Sequence, residues 1–290
     1  TDGMDQEVYR IIPEDELYAR TGIQKAIFNT IYQLMALKVK KPEQLEKAET
    51  MLMMPDYFHY LLSGVAATEY TNATTGQLVS PVTKDWDMEL IEKLGYPKKI
   101  FQKLVTPGTV LGELTEEIQK EVGFNCKVVA PATHDTGSAV IAVPTESDNT
   151  LYISSGTWSL MGTELMEANC SRESKLHNLT NEGGYNYRFR FLKNIMGLWM
   201  IQSVKKEIGG NLGFGEICEQ ASRCTIPSIV DANDDRFSCK HDRGSTGSLQ
   251  RIRSAGSGGN CRGGKCDLQQ PRTMLRKDHK GNRGDYRSEV

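Results

Sequence analysis

Long apolar runs are missing from this chain of 290 residues. None approaches the roughly 18 residues that a membrane-crossing helix needs. The opening Thr1-Asp2-Gly3 is polar and lacks a charged segment followed by an apolar core, so no secretory signal is expected. Cysteines are few, odd in number at seven, and scattered, which suits free thiols in a reducing, cytoplasmic setting better than a disulfide framework. The pairs Cys218/Cys224 and Cys261/Cys266 lack the short spacing and the histidine partners of a zinc site, so no metal site is assigned. Apolar residues make up only 38% of the chain, low for one fully packed globule.

The deficit is uneven. From Ser238 to the end there are nine Gly, Tyr286 is the single aromatic, and neither a helical nor a strand period persists. The same stretch carries twelve Lys/Arg against five Asp/Glu, while the preceding residues hold 23 against 32. The net charge of -2 therefore hides a basic end on an acidic body.

Before that boundary the pattern alternates. Residues Glu14 to Leu62 are largely helical, with Ile27, Ile31, Leu34 and Met35, then Phe58, Leu61 and Leu62, at helical spacing. Ser63-Gly64 makes a turn, and Glu69 to Thr74 reads as an extended polar segment. A helix is expected from Asp85-Trp86-Asp87 to Gly95, and a short strand over Lys127 to Ala130. Asp135-Thr136-Gly137-Ser138 opens a further helix. Thr150 to Ile153 reads as a strand, and Phe189 to Gln202 continues into a helix carrying Ile195, Leu198, Trp199 and Ile201. Strands alternating with helices point to α/β architecture.

Three segments could carry chemistry. Asp135, in Ala132-Thr133-His134-Asp135-Thr136, lies between a strand end and a helix start, where α/β folds place ligand chemistry. A carboxylate there can take a proton from an alcohol attacking phosphorus. It can equally cap the helix by accepting backbone N–H bonds, and His134 alone can be a structural histidine. Ser154-Ser155-Gly156-Thr157 could offer amides and hydroxyls to a phosphate or be an ordinary turn; the Gly-Lys-Ser/Thr ending of a Walker loop is absent. Asn181-Glu182-Gly183-Gly184 has a plain loop as its default reading. Met51-Leu52-Met53-Met54 reads as core.

Taken in order, these segments resemble the FGGY family of carbohydrate kinases. The resemblance rests on Pro55 to Gly64, Glu69-Tyr70-Thr71-Asn72-Ala73-Thr74, Trp86, Gly95 and Pro107 to Gly112. It rests further on His134-Asp135-Thr136, Ser155 to Leu160, Asn181 to Gly184 and Leu192 to Trp199, and it extends from Thr1 to about Phe237. It implies a two-lobed, actin-like (ribonuclease H-like) ATPase fold of the α/β class, incomplete here. Residues 1–143 would be the remainder of a sugar-binding first lobe and residues 144–237 the start of an ATP-binding second lobe.

Residue roles follow only from the resemblance. Asp135 matches the catalytic base. His134, Asp135 and Thr136 match a sugar-contacting run, with Asn194 a further sugar contact, and Thr157 and Gln202 match positions that touch ATP. The implied reaction moves the γ-phosphoryl of MgATP onto the 1-hydroxyl of L-rhamnulose, with no nucleic-acid or membrane partner. L-fuculose or xylulose is the runner-up sugar, and a non-catalytic sugar- or nucleotide-binding fragment is the rival from another class. The family's Asp-rich and Gly-rich phosphate loop, within roughly a hundred residues, is expected before Thr1.

The end of the chain has a specific expectation. Back-translated with free synonymous choice and read one nucleotide later, residues 267–290 permit an amphipathic helix similar to one in the family's second lobe. Residues 238–290 are therefore read as an out-of-frame tail, the rival being a disordered basic tail that binds nucleic acid or acidic surfaces.

Overall fold

The computed structural model describes residues 1–145, 147, 150–156, 158–196, 198, 202, 205–206 and 213–223. Residues 238–290, expected to be an out-of-frame tail, and Thr157 lie outside the described residues. The chain divides into two compact units, Thr1–Tyr152 with Gly162–Lys193, and Ile153–Met161 with the chain from Asn194 on.

The first unit opens with helices α1 (Met4–Tyr9), α2 (Glu14–Thr21), α3 (Thr30–Lys40), α4 (Pro42–Lys47) and α5 (Met54–Ser63). The expected helical region is present, broken where the sequence supplies stops. Helix α2 begins after Pro13 with Glu14, Asp15 and Glu16 in its first turn, where acidic groups complement the exposed amides. It ends at Gly22, whose φ of 68 is the left-handed conformation that glycine tolerates best. Helices α1 and α3 bury Val8, Ile31, Tyr32, Leu34 and Met35 in one core with Ile12, Tyr70, Leu78, Leu90, Ile91 and Leu94. Helix α5 behaves differently. Its single buried residue is Asp56, while Tyr57, Phe58, Tyr60, Leu61 and Leu62 are exposed.

After α5 comes β1 (Thr68–Glu69), followed directly by α6 (Tyr70–Ala73) and a 3-10 turn at Thr74–Gly76. The polar segment from Glu69 to Thr74 is thus not extended beyond Glu69. The Glu69 carboxylate accepts the backbone N–H groups of Thr71 and Asn72, satisfying the first amides of a helical turn that local propensity disfavours. A hairpin of β2 (Val79–Ser80) and β3 (Asp85–Trp86) leads into α7 (Met88–Lys93), whose N-cap Asp87 accepts from the Leu90 amide at 3.0 Å. Strand β4 (Leu104–Val105) pairs parallel with β1 in the register Glu69↔Val105. Strands β5 (Val110–Glu113) and β6 (Lys127–Val129) pair antiparallel around α8 (Glu116–Val122). Then α9 (Asp135–Ile141) begins at the expected place.

Strands β7 (Tyr152–Ser155) and β8 (Trp158–Leu165), helix α10 (Arg172–Leu176), and strands β9 (Thr180–Gly183) and β10 (Phe189–Met196) follow. Two expectations change here. Asn181-Glu182-Gly183 is a fully buried strand rather than a loop, and Phe189 to Met196 is a strand that pairs antiparallel with it. Of the helix expected to follow, Trp199 and Ile201 lie outside the described residues and Gln202 is helical. The apolar spacing that suggested a helix near Ile195 was a continuous buried run, Phe189 to Leu192, which periodicity alone cannot assign. Two glycines permit close packing. A Cβ on Gly162 would lie 2.4 Å from the Phe191 carbonyl oxygen, and one on Gly183 would lie 2.6 Å from Tyr70 Cε1.

In the second unit, α11 (Phe214–Ser222) starts at Gly213, whose amide donates to Glu216 Oε2 at 2.7 Å. Among the described residues, no helix is long and apolar enough to cross a membrane. Cys126, Cys170 and Cys218 are free thiols; the other four cysteines lie outside the described residues.

Candidate functional site

The site is built on the loop between β6 and α9, and Glu69 anchors it. Its carboxylate is fully buried and accepts five hydrogen bonds. The Thr71 amide donates to Oε1 at 2.8 Å, and the Thr71 hydroxyl to Oε2 at 2.5 Å. Asn72 donates its amide to Oε2 at 3.3 Å. Across the unit, Thr133 donates both its amide (3.0 Å) and its hydroxyl (2.8 Å) to the same Oε2. A buried carboxylate is tolerable only with such donors around it. The result fixes the backbone immediately before His134 and Asp135. The His134 amide adds a bond to Thr71 Oγ1 at 3.3 Å.

Asp135 is the first residue of α9, with His134 at the N-cap position. It is exposed. Its Oδ1 accepts the neighbouring Thr136 amide at 2.6 Å and the Thr136 hydroxyl at 3.3 Å, while Oδ2 has no partner among the described residues. The carboxylate therefore holds a helix-start amide with one oxygen and presents the other. Capping and proton acceptance are not exclusive at this residue. Thr136 is buried and serves the helix start, with its hydroxyl turned to Asp135.

Behind His134 lies a buried charged pair on the β9–β10 hairpin. Arg190 and Glu182 face each other across the strands. Arg190 is fully buried, and its Nη1 lies 3.1 Å from Glu182 Oε2 and 3.1 Å from His134 Nδ1. Its Nε donates to the Gly183 carbonyl at 2.9 Å. Burial is the main cause that lowers the His134 pKa; Arg190 acts in the same direction and Glu182 against it. The neutral imidazole is favoured. Asn181, next in β9, is structural: its Nδ2 donates to the Gly22 and Asn169 carbonyls at 2.9 and 3.0 Å.

One more buried acid stands under this loop. Asp56 is 1% exposed and accepts the Glu69 amide through Oδ1 at 3.1 Å, and its Oδ2 has no partner among the described residues. Burial, reinforced by the nearby Glu69 charge, pushes its carboxyl up to about 7.

The expected sugar-contacting run His134-Asp135-Thr136 thus sits together in the first unit. Asn194 is exposed on β10 and belongs to the second unit. Gln202 also belongs to the second unit, is exposed, and donates its amide to the Leu198 carbonyl at 3.1 Å. Glu69, Thr133, Glu182 and Arg190 were not singled out individually by sequence reasoning. Arg190 inside Phe189-Arg190-Phe191-Leu192 was the available signal, since a charge in a buried apolar run needs a partner.

Residues 1–142 match the N-terminal domain of the FGGY family of carbohydrate kinases. The rhamnulokinase of Oceanobacillus iheyensis is 52% identical over 237 residues, covering 82% of this chain and 50% of that protein. The chain therefore carries an N-terminal domain of the FGGY family of carbohydrate kinases. A second FGGY relative, the rhamnulokinase of Halalkalibacterium halodurans, is also 52% identical over 237 residues, with 82% and 50% covered. That of Pectobacterium atrosepticum is 43% identical over 240 residues, covering 82% of this chain and 47% of that protein. The chain spans about half the length of these curated relatives. Among solved structures, the xylulose kinase of Rhodospirillum rubrum superposes with a TM-score of 0.73 at 15% identity, covering 96% of this chain and 57% of that one. The xylulose kinase of Lactobacillus acidophilus gives 0.65 at 18% identity, covering 76% and 45%. These two likenesses show the fold: part of the actin-like ATPase fold of the FGGY sugar kinases.

Proposed function

We propose that this chain is the sugar-holding part of a rhamnulokinase, which transfers the γ-phosphoryl of MgATP to the 1-hydroxyl of L-rhamnulose. The observation that carries the reading is an exposed Asp135 whose Oδ2 has no partner among the described residues, on a loop fixed by the buried Glu69, in a chain 52% identical over 237 residues to proteins named rhamnulokinase.

An alcohol is too weakly acidic to ionise at neutral pH. Asp135 would take its proton as phosphorus is attacked, a contribution of about a hundred- to ten-thousandfold. Positioning supplies much of the rest. His134 and Thr136 flank the carboxylate, and the clamp between Glu69 and Thr133 keeps the loop from relaxing when sugar arrives. Asn194 would add a sugar contact, and Thr157 and Gln202 would contact ATP. Among the described residues no group of three or more His, Cys, Asp or Glu is arranged to hold a metal. Mg²⁺ fits here as a companion of the triphosphate, since it keeps several waters and takes few protein ligands. When bound it would neutralise charge on the transferred phosphoryl group.

The test is a segment exchange. The 237 matched residues of this chain would replace their counterpart in the Oceanobacillus iheyensis relative. ADP formation dependent on L-rhamnulose is the expected result. Saturable sugar binding without ADP would favour a non-catalytic binding module, and a preference for L-fuculose or D-xylulose would reassign the sugar.

A further inference from the structure

We propose that Arg190 and Glu182 lock the His134 imidazole in the tautomer that carries its proton on Nε2, so that His134 meets the sugar as a hydrogen-bond donor. The sugar clause rests on the function proposed above; the tautomer does not.

The geometry leaves little freedom. Arg190 is 0% exposed, and two further contacts orient its guanidinium: the Gly183 carbonyl, 2.9 Å from Nε, and Glu182 Oε2, 3.1 Å from Nη1. Nη1 also stands 3.1 Å from His134 Nδ1. A guanidinium has donors only and stays protonated. The ring atom it faces must therefore offer a lone pair, which puts the single proton of a neutral imidazole on Nε2. The opposite tautomer would point an N–H at the guanidinium. Glu182 Oε2, the acceptor on that side, is 3.7 Å from Nδ1, beyond hydrogen-bond reach. A doubly protonated ring fails for the same reason, in keeping with the lowered pKa of His134.

Glu182 has its own part. It sits directly across from Arg190 in the strand register and balances the buried charge. Both are positioning residues that act through the ring. Nε2 itself has no partner among the described residues, and the His134 side chain is 24% exposed. A sugar hydroxyl or carbonyl oxygen can accept from Nε2–H. A hydroxyl held in this way keeps its own proton, which is what a neighbouring carboxylate base requires.

The test reads the ring directly. Long-range proton–nitrogen correlation spectra of the ¹⁵N-labelled full chain distinguish a bare from a protonated ring nitrogen, and His134→Gln assigns the signals among the five histidines. A bare Nδ1 and a protonated Nε2 are expected in the wild type. Arg190→Met should move both nitrogens toward the tautomer average and weaken L-rhamnulose binding about tenfold, the cost of one lost hydrogen bond. Arg190→Lys, which keeps a donor, should restore most of both. A protonated Nδ1 in the wild type, or ring shifts unchanged in a folded Arg190→Met, would overturn the lock. Should Arg190→Met not fold, the wild-type spectrum alone decides. The expected tautomer with no saturable L-rhamnulose binding would overturn the sugar clause and leave the lock standing.

Discussion

Glu69 Oε2 accepts both the amide and the hydroxyl of Thr133, so one buried oxygen ties the start of α6 to the loop that presents Asp135. The pairing is between residues 64 apart in the chain, and it joins a buried structural carboxylate to the loop that carries the proposed base.

Glu69→Gln is the first variant to make. The amide would turn an NH₂ toward groups that all donate, leaving buried donors unmatched. A loss of about 2–4 kcal/mol in urea unfolding is expected, at one to three per unmet charged bond. Sugar affinity should fall with it, because the loop before Asp135 loses its anchor.

Asp56 predicts a pH dependence of stability. Its folded pKa is raised by burial to about 7, so the folded state holds a proton that the unfolded state releases at lower pH. Its stabilising effect is complete below the unfolded carboxylate value near 4 and is lost as pH rises through 7. Asp56→Asn keeps the acceptor for the Glu69 amide and removes the titration. The variant should gain stability over wild type as pH goes from 5 to 8 in urea unfolding; a constant difference would contradict the assignment.

His134 works with the opposite sign. Its folded pKa lies below the ordinary histidine value, chiefly through burial. Its contribution is present above pH 6.5 and is lost as pH falls through the lowered value. His134→Gln should flatten the acid side of the stability profile below pH 6.5 and leave the side above it unchanged.

The Gly183→Ala variant tests packing of the strand that carries Glu182. An added Cβ would lie 2.6 Å from Tyr70 Cε1 and 3.0 Å from Thr74 Cγ2. Tyr70 is fully buried and cannot swing away, so a cost of about 1–3 kcal/mol is expected in a thermal melt.

Much of the frame was legible. The helical region begins at Glu14 as expected, Asp87 opens α7, and Asp135 opens α9, because caps and breakers act through the neighbouring backbone. Residues 69–74 were misread because the Glu69 carboxylate, buried by the fold and tied to Thr133, caps the Thr71 and Asn72 amides against local propensity. Strand β10 was misread because an apolar run buried on both faces has no period to show. Asp135 and His134 were visible by motif. The groups that control them were not, since Glu69 and Arg190 reach them only through the fold.

The most direct test of the account is ADP formation from MgATP and L-rhamnulose in the Oceanobacillus iheyensis exchange protein, compared with the same protein carrying Asp135→Asn. The prediction is a fall of about a thousandfold in kcat with L-rhamnulose affinity retained, the size of effect a general base supplies. An Asp135→Asn protein that forms ADP at the unsubstituted rate would contradict it.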